Sequence, residues 1–405
     1  MDEEIFNQKN ISTLIRNILT LRYDPSQETT LPILDDSNFK PLKKIDSDFI
    51  ENTLTKSIES KLSSAKNLAI SLSGGVDSTL VLSFIRKIFP DLNINAISVK
   101  FANSTDETQI AKKISDFFEV EHEIVSLENY LLELPAAINI IGLPFWDIHW
   151  YYIAKNAKSK SDFIASGDGG DELFGGYTFR YSKFLSLVNS NSTPLEKIKA
   201  YLSCHERDWI PEQEEIFAQK SKFSWDSIHS IFKPFFDNKL SLLNQVFLAD
   251  YNGKLLYNFS IVNNRINQNF RLKSVAPLLN PELISYATHL SPELKYDSQK
   301  NIGKLPLRKL LLKHKCDSFI SKEKLGFSVN TINLWNSIGK ELCHSYLDKA
   351  RIVEDNWINK EWITVNLKKS ELNVRYVNKF LGILSLEIWY RIFITKDLSK
   401  DTTLS

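Results

Sequence analysis

Two short segments combine glycine with hydroxyl and carboxylate side chains at a spacing that suits phosphate chemistry. The first spans residues 73–78 and reads SGGVDS. Its two glycines let the backbone approach a ligand closely, and a helix that follows would present unpaired N–H groups to an anion. Asp77 would repel a bare phosphate but suits one that carries Mg²⁺. The segment therefore predicts a cradle for a magnesium-bound polyphosphate.

A plainer explanation of residues 73–78 is a Gly-Gly turn capped by serine. The apolar run before the segment and the amphipathic stretch after it favour the ligand loop instead. The Walker A pattern is absent, because none of the Gly-Lys pairs that begin at 253, 303 and 339 is followed by Ser or Thr. This excludes the NTPases that carry that pattern.

The second segment spans residues 166–177 and reads SGDGGDELFGGY. Five glycines and three carboxylates in twelve residues suit neither a helix nor a strand. Carboxylates that face a phosphate loop suit magnesium binding and proton transfer. A simple Asp-Gly turn or a calcium loop is the plainer explanation. The segment lacks the DxDxDG spacing of a calcium loop, and a simple turn would not explain the Leu-Phe-Gly-Gly run.

The elements around these segments predict an α/β fold with a parallel, doubly wound sheet. Strands are expected at 67–72, 94–101, 122–127 and 162–166, with helices at 49–62, 79–89 and 106–118. Such alternation implies right-handed crossovers, and ligands of open sheets lie at the carboxyl ends of the strands. Both glycine-rich segments follow strands, so we expect them to face one cleft.

The chain divides into a leader and one large domain. Residues 1–48 contain polar breaks and a short helix at 14–21. The domain, 49–400, separates into a nucleotide-binding sheet region at 49–185 and a mostly helical region at 186–400. The leader is a candidate docking segment for another subunit.

Composition excludes several classes of protein. The 405 residues carry a net charge of +1, which favours neither nucleic acid nor an anionic membrane as partner. Three widely spaced cysteines form no disulfide framework, and the seven histidines lack zinc-ligand spacing. The start of the chain has no secretion signal, and no run of about 18 apolar residues occurs. We expect a cytoplasmic protein.

The first segment resembles the signature of the N-type ATP pyrophosphatases, and the second closely resembles the GDGxDELFGGY signature of asparagine synthetases. The resemblance implies ATP as a substrate with Mg²⁺ on Asp77 and Asp171. It implies that Asp168 assists formation of the acyl-adenylate. The positions that would contact ATP or pyrophosphate are Leu72, Ser73, Gly74, Gly75, Asp77, Ser78, Val99, Ser166 and Gly167.

Weaker likeness continues downstream and covers residues 50–395 in all. Asn264-Arg265 resembles an Asp-Arg pair of the family, and residues 277–280 resemble its Pro-Phe-Leu-Asp. Lys304 begins a Lys-x-x-Leu-Arg match, and Lys324 falls in a match to Arg-x-Lys-x-Gly-Phe. The resemblance implies that both lysines neutralise pyrophosphate and the charge on the α-phosphate. Taken alone, each lysine would be a solvated surface charge.

Departures from the family bear on the nitrogen source. The family's usual architecture opens with a glutaminase domain whose nucleophile is a cysteine at position 2, whereas this chain has Asp2 and a leader of 48 residues. We therefore expect it to use free ammonia, a separate glutaminase subunit or another amine. A homodimer is the other assembly considered.

Further departures bear on the acid. Residues 273–276 read KSVA where the family has a Glu-Val-Arg stretch, and Asn264 and Asn280 replace aspartates. Aspartate, converted to asparagine, is thus the family default. The alternatives are an adenylating amide or lactam synthetase for another carboxylate, and a non-catalytic nucleotide-binding partner subunit.

Overall fold

A parallel sheet organises the chain, which the computed structural model describes over residues 8–101, 108–128, 130–319 and 330–405. Its strands are β1 (Asn67–Ser71), β2 (Asn93–Phe101), β3 (Glu121–Leu127), β4 (Phe163–Ala165) and β5 (Lys273–Val275). They lie in the order β3-β2-β1-β4-β5, and every neighbouring pair is parallel. The predicted parallel α/β fold is confirmed. A small antiparallel pair, β6 (Tyr296–Asp297) and β7 (Ile302–Gly303), lies outside this sheet.

Helices make up most of the remaining described chain. They are α1 (Gln8–Leu21), α2 (Ser47–Leu62), α3 (Val76–Ile88), α4 (Thr108–Phe117), α5 (Leu134–Ile141), α6 (His149–Lys158), α7 (Gly170–Phe174), α8 (Thr178–Leu187), α9 (Pro194–Cys204), α10 (Trp225–Phe236), α11 (Leu242–Asp250), α12 (Ile261–Asn269), α13 (Pro281–His289), α14 (Pro292–Lys295), α15 (Leu305–Lys313), α16 (Thr331–Leu334), α17 (Lys340–Leu347), α18 (Arg351–Glu354), α19 (Lys360–Leu367) and α20 (Val374–Phe393). A π-helical section, Tyr251–Ser260, joins α11 to α12, and a second one, Trp335–Gly339, joins α16 to α17. None of the described helices is both long enough and apolar enough to cross a bilayer.

The order of the strands reverses next to β1. From β1 the chain continues through α3 to β2 and through α4 to β3, and these strands lie towards one edge of the sheet. Strands β4 and β5 lie towards the other edge. Helix α6 packs against β1, β2, β3 and β4, while α3 packs with α2 and α15. Ligand clefts of doubly wound sheets form at such a reversal, at the carboxyl ends of the strands. Here that point lies between β1 and β4.

Burial explains why the central strands read as apolar runs. In β2 the residues from Ile94 to Val99 are all buried, and in β1 Leu68, Ala69 and Ile70 are at most 1 % exposed. Strands covered by helices on both faces lose the alternation of half-exposed strands. The four predicted strands agree with β1–β4 to within one residue at each end. The predicted start of α4, at 106, lies outside the described residues.

The fifth strand was missed by the sequence prediction. Lys273, Ser274 and Val275 pair in parallel with β4. Two of the three are polar and exposed, so the segment lacks the apolar run that marked the other strands. Backbone hydrogen bonds to β4 hold this segment in the sheet, although it has no run of buried apolar side chains.

The N-terminal residues pack within the core. In α1, Ile11, Leu14, Ile15 and Ile18 are buried, and the helix lies against α20. Helix α20 is itself central, since its Phe380 and Trp389 side chains are fully buried. The buried apolar residues of α1 and α20 therefore belong to one hydrophobic core.

Candidate active site

The first glycine-rich loop, between β1 and α3, is held in shape by hydrogen bonds among its own residues. Gly74 adopts φ 74°, a left-handed conformation that glycine takes without strain. Gly75 precedes α3 and donates its N–H to Ser73 Oγ at 3.3 Å. Ser73 donates its own N–H to Ser78 Oγ at 3.3 Å. The loop thereby gathers two hydroxyl groups and the N-terminus of a thirteen-residue helix at the strand end.

The end of β1 is joined firmly to β2. Leu72 donates its N–H to Ile97 O at 2.9 Å, and Ser98 donates its hydroxyl to Leu72 O at 2.6 Å. Leu72 and Val99 are buried, at 1 % and 7 % exposed. These two candidate nucleotide contacts thus lie near the carboxyl ends of adjacent parallel strands.

The second loop follows β4 and runs into the short helix α7. Ser166 extends the sheet by donating its N–H to Val275 O at 3.0 Å. Gly169 then turns the chain with φ 90°, and α7 begins at Gly170. The segment predicted to suit neither helix nor strand therefore contains a single five-residue helix between turns.

The two loops touch, with the Asp77 side chain between them. A Cβ atom placed on Gly170 would lie 2.2 Å from Asp77 Cγ. One placed on Gly167 would lie 2.7 Å from Asp77 Cβ. Since real Cβ atoms do not approach this closely, glycine is required at both positions for the loops to meet. The expected convergence of the two segments is present.

Lys304 joins Asp77 to Asp171. Its Nζ atom lies 2.5 Å from Asp77 Oδ2 and 2.9 Å from Asp171 Oδ1. Lys304 precedes α15 with φ 59° and donates its N–H to Phe174 O at 3.0 Å, which fixes its backbone beside α7. Burial alone would lower the pKa of Lys304, but Asp171 and Asp77 raise it above its ordinary value. The side chain is therefore a buried ammonium group.

The same geometry tests whether magnesium suits this place. Asp77 and Asp171, from different loops, direct carboxylate oxygens at one cationic atom. Oxygen ligands converging on a positive charge are what Mg²⁺ requires, usually with waters and phosphate oxygens completing the shell. The described residues contain no group of three or more His, Cys, Asp or Glu side chains arranged for a metal. The pair thus suits an ion held jointly with a phosphate ligand.

Asp168 makes hydrogen bonds to residues other than those of this ion triad. Its Oδ2 atom accepts hydrogen bonds from Ser166 Oγ and from Asn263 Nδ2, both at 2.9 Å. Burial raises the pKa of Asp168, and the two hydrogen bonds partly oppose the rise. Asn263 was missed by sequence reasoning, which singled out its neighbour. Asn264 instead donates to Thr30 Oγ1 at 3.0 Å.

The third carboxylate of the second loop is structural. Glu172 is buried and accepts a hydrogen bond from the Tyr177 hydroxyl. Burial and the nearby Asp171 raise the pKa of Glu172 to about 7. The two ends of the DELFGGY run are thus tied together inside the protein.

Two of the positions at which the sequence departs from the family make defined contacts in the structure. Asn280 caps α13, because its Oδ1 atom accepts the N–H of Glu282 at 2.8 Å. Lys273 places its Nζ 4.9 Å from the centre of the Phe163 ring. Lys324 lies outside the described residues.

The fold and these loops define an α/β protein with two carboxylates and a lysine gathered at a topological switch point of the sheet. The chain belongs to the asparagine synthase family, whose model matches residues 50–391. It is 23 % identical over 384 residues to the glutamine-hydrolyzing asparagine synthetase 1 of Bacillus subtilis, covering 83 % of this chain and 60 % of that protein. The chain therefore spans less than two thirds of the length of that relative.

Other similar proteins carry a different name. An NH(3)-dependent NAD(+) synthetase of Carboxydothermus hydrogenoformans is 25 % identical over 134 residues, which is 27 % of this chain and 55 % of that protein. The solved NH3-dependent NAD synthetase of Campylobacter jejuni is 17 % identical, with 56 % of this chain and 96 % of that one covered. Its TM-score is 0.27.

Proposed function

We propose that this chain is an ATP-dependent ligase that activates a carboxylate as an acyl-adenylate and then converts it to an amide. Aspartate is the leading acid, with asparagine, AMP and pyrophosphate as products. The observation that carries the proposal is the meeting of Asp77, Asp171 and Lys304 at one point of the switch-point cleft. Membership of the asparagine synthase family supports the same chemistry.

In the first step ATP would lie with its β- and γ-phosphates on the loop at residues 73–78. Asp77 and Asp171 would hold Mg²⁺, which supplies positive charge for the phosphate oxygens. The substrate carboxylate attacks the α-phosphorus, and the bond to pyrophosphate breaks. Lys304 would neutralise the leaving pyrophosphate, and the support for this role is that its ammonium group lies beside both carboxylates that would hold the ion.

In the second step an amine attacks the acyl carbon and AMP leaves. Asp168 assists this transfer by orienting groups or by taking a proton. Its support is its place at the end of β4, with Ser166 and Asn263 fixing one carboxylate oxygen. Holding the acyl-adenylate and the amine in one cleft supplies much of the rate. The nitrogen would come from free ammonia or from a separate glutaminase subunit, which co-purification would test.

A related synthetase acting on another carboxylate is the second candidate. It is favoured by the departures from the family at Lys273, Asn264 and Asn280, of which the last is a helix cap here. An internal amine, as in a lactam-forming reaction, would remove the need for ammonia.

Product analysis separates these candidates. Pyrophosphate release is measured with ATP, Mg²⁺, ammonium and a panel of amino acids, and the products are identified by mass spectrometry. We expect release that depends on one acid, with AMP as coproduct, and a loss of about 10²-fold or more in Asp77→Asn. Asp116→Asn, an exposed residue of α4, is the matched control. ADP and phosphate as products, or no acid-dependent release, would overturn the proposal.

A further inference from the structure

A histidine lies at the same edge of the sheet as Asp168. Helix α6 ends at Lys158, shortly before β4 begins at Phe163. Because α6 runs back along the sheet before β4 returns, its first residue, His149, lies at the carboxyl edge. Asp168 follows β4 at that same edge. Topology thus places His149 on the acyl-transfer side of the cleft.

His149 has a carboxylate partner that is itself fixed on two sides. Its Nδ1 atom lies 2.9 Å from Asp147 Oδ1. Asp147 Oδ1 also accepts the Tyr130 hydroxyl at 2.7 Å, and Asp147 Oδ2 lies 3.3 Å from the Arg22 guanidinium. Because Nδ1 faces a carboxylate it carries the hydrogen, and Nε2 is the basic nitrogen of the neutral ring.

Arg22 comes from the segment before the part matched by the family. It has φ 63°, and its carbonyl accepts the Asn258 side-chain N–H at 2.8 Å. Its guanidinium lies 4.9 Å from the centre of the Trp146 ring, next to Asp147. The Arg22 side chain is thereby held against the loop that leads into α6.

The titratable groups around the pair formed by His149 and Asp147 come from four elements. They are Asp147 before α6, Tyr130 after β3, Arg22 after α1 and Asp168 after β4. Partial burial would raise the pKa of Asp147, but His149 and Arg22 hold it below its ordinary range. His149 also acts on Asp168, whose pKa it lowers against the effect of burial. The side chains of His149 and Asp147 are 28 % and 32 % exposed, so a small amine can reach them.

We propose that His149 accepts the proton of the incoming amine during acyl transfer, with Asp147 and Arg22 as positioning residues. This inference rests on the proposed function and adds a residue to its second step. The amine nitrogen forms a bond to the acyl carbon of the adenylate, and the bond from that carbon to the phosphate oxygen breaks. AMP leaves with the electron pair, and the nitrogen's proton passes to His149 and then to solvent.

Separating the two half-reactions tests this role. Exchange of pyrophosphate into ATP in the presence of aspartate reports adenylate formation, while asparagine formation from ammonium reports both steps. In His149→Gln we expect exchange within about twofold of the unsubstituted protein. Amide formation should fall by about 10²- to 10⁴-fold, the usual contribution of a positioned base. His344→Gln, an exposed histidine of α17, is the matched control and should change neither rate.

Two further measurements distinguish proton transfer from a structural role. At a constant concentration of unprotonated ammonia, amide formation should lose its acid limb in His149→Gln, and added imidazole should restore part of the rate in His149→Ala. Asp147→Asn should lower the rate less and keep an acid limb. Equal losses in exchange and amide formation, or an unchanged amide rate, would overturn the inference alone. No exchange in the unsubstituted protein with any amino acid of the panel would overturn the proposed function as well.

Discussion

The Nζ atom of Lys304 lies 2.5 Å from Oδ2 of Asp77, although 227 residues separate them in sequence. The same atom contacts Asp171, so one lysine connects the helix after β1, the helix after β4 and the turn before α15. In the state described, the ammonium group holds in place the carboxylates that would bind a metal ion. Binding of a magnesium–phosphate ligand would therefore have to redistribute these contacts.

Replacing Lys304 with methionine should destabilise the protein and make its stability depend on magnesium. The change leaves two partly buried carboxylates, 13 % and 23 % exposed, without their shared cation, which should cost about 3 kcal/mol, the lower end for a broken buried pair. Mg²⁺ should restore part of this loss, since it would replace the missing charge. Urea unfolding with and without Mg²⁺ measures both effects. Lys300→Met is the control, because its side chain is 74 % exposed and its ion pair with Asp297 lies at the surface. Equal behaviour of the two variants would contradict the prediction.

Replacing Gly170 with alanine should separate the two loops. The new Cβ would meet Asp77 Cγ at 2.2 Å, so either the helix or the carboxylate must shift. We expect a loss of stability of about 1–3 kcal/mol and weaker binding of Mg-ATP. Gly75→Ala is the control for stability, since only Ser73 Oγ, at 3.3 Å, lies near its added Cβ. Denaturant unfolding and calorimetric titration with Mg-ATP provide the measurements, and a fully stable Gly170→Ala protein would argue against the contact.

Truncating an apolar side chain of α1 should destabilise the whole domain. Ile15 is fully buried against the core, so Ile15→Ala should cost about 2–5 kcal/mol of unfolding free energy. Ile33, also in the leader, is 67 % exposed, and Ile33→Ala should change stability by less than about 0.5 kcal/mol. Both are measured by urea unfolding. If the two variants were equally stable, α1 would be a peripheral segment rather than part of the core.

Stability should rise with pH above neutrality because of a buried lysine. Burial lowers the pKa of Lys295 from 10.5 to about 7. Between these values the unfolded chain binds the additional proton, so this group favours the folded state increasingly as pH rises, by up to about 1.4 kcal/mol per pH unit. In Lys295→Met the slope of unfolding free energy between pH 7 and pH 9 should fall by about that amount. Lys349→Met, at an exposed position, should leave it unchanged.

The sequence was sufficient to predict the fold class and β1–β4, because strand-like runs alternate with helical stretches and the glycine-rich loops mark the ends of β1 and β4. It did not predict β5, whose Lys273 and Ser274 are exposed and whose pairing depends on backbone hydrogen bonds to β4. Nor did it predict how α1 packs. An amphipathic helix shows which of its faces is buried, but its partner, α20, lies at the other end of the chain.

The sequence likewise predicted some residues of the candidate site and not others. Asp77, Asp171 and Lys304 were selected by motif, and the structure brings them together. Lys324, selected in the same manner, remains a prediction. Asn263, Asp147, His149 and Arg22 belong to no motif that was recognised, because each is an ordinary polar residue until the tertiary structure supplies its neighbours. Of these, only Asn263 stood beside a residue that had been noted.

The contact between α1 and α20 also constrains how the protein can form. Lys379 of α20 donates to the carbonyl of Leu19 in α1, across 360 residues of sequence. On a ribosome, α1 would emerge well before α20, so its apolar side would stay uncovered until the residues between them had been made. Contacts of such sequence separation slow folding, because a very large loop must close before they form. Newly made chains should therefore be protease-sensitive and chaperone-dependent until translation of α20 is complete.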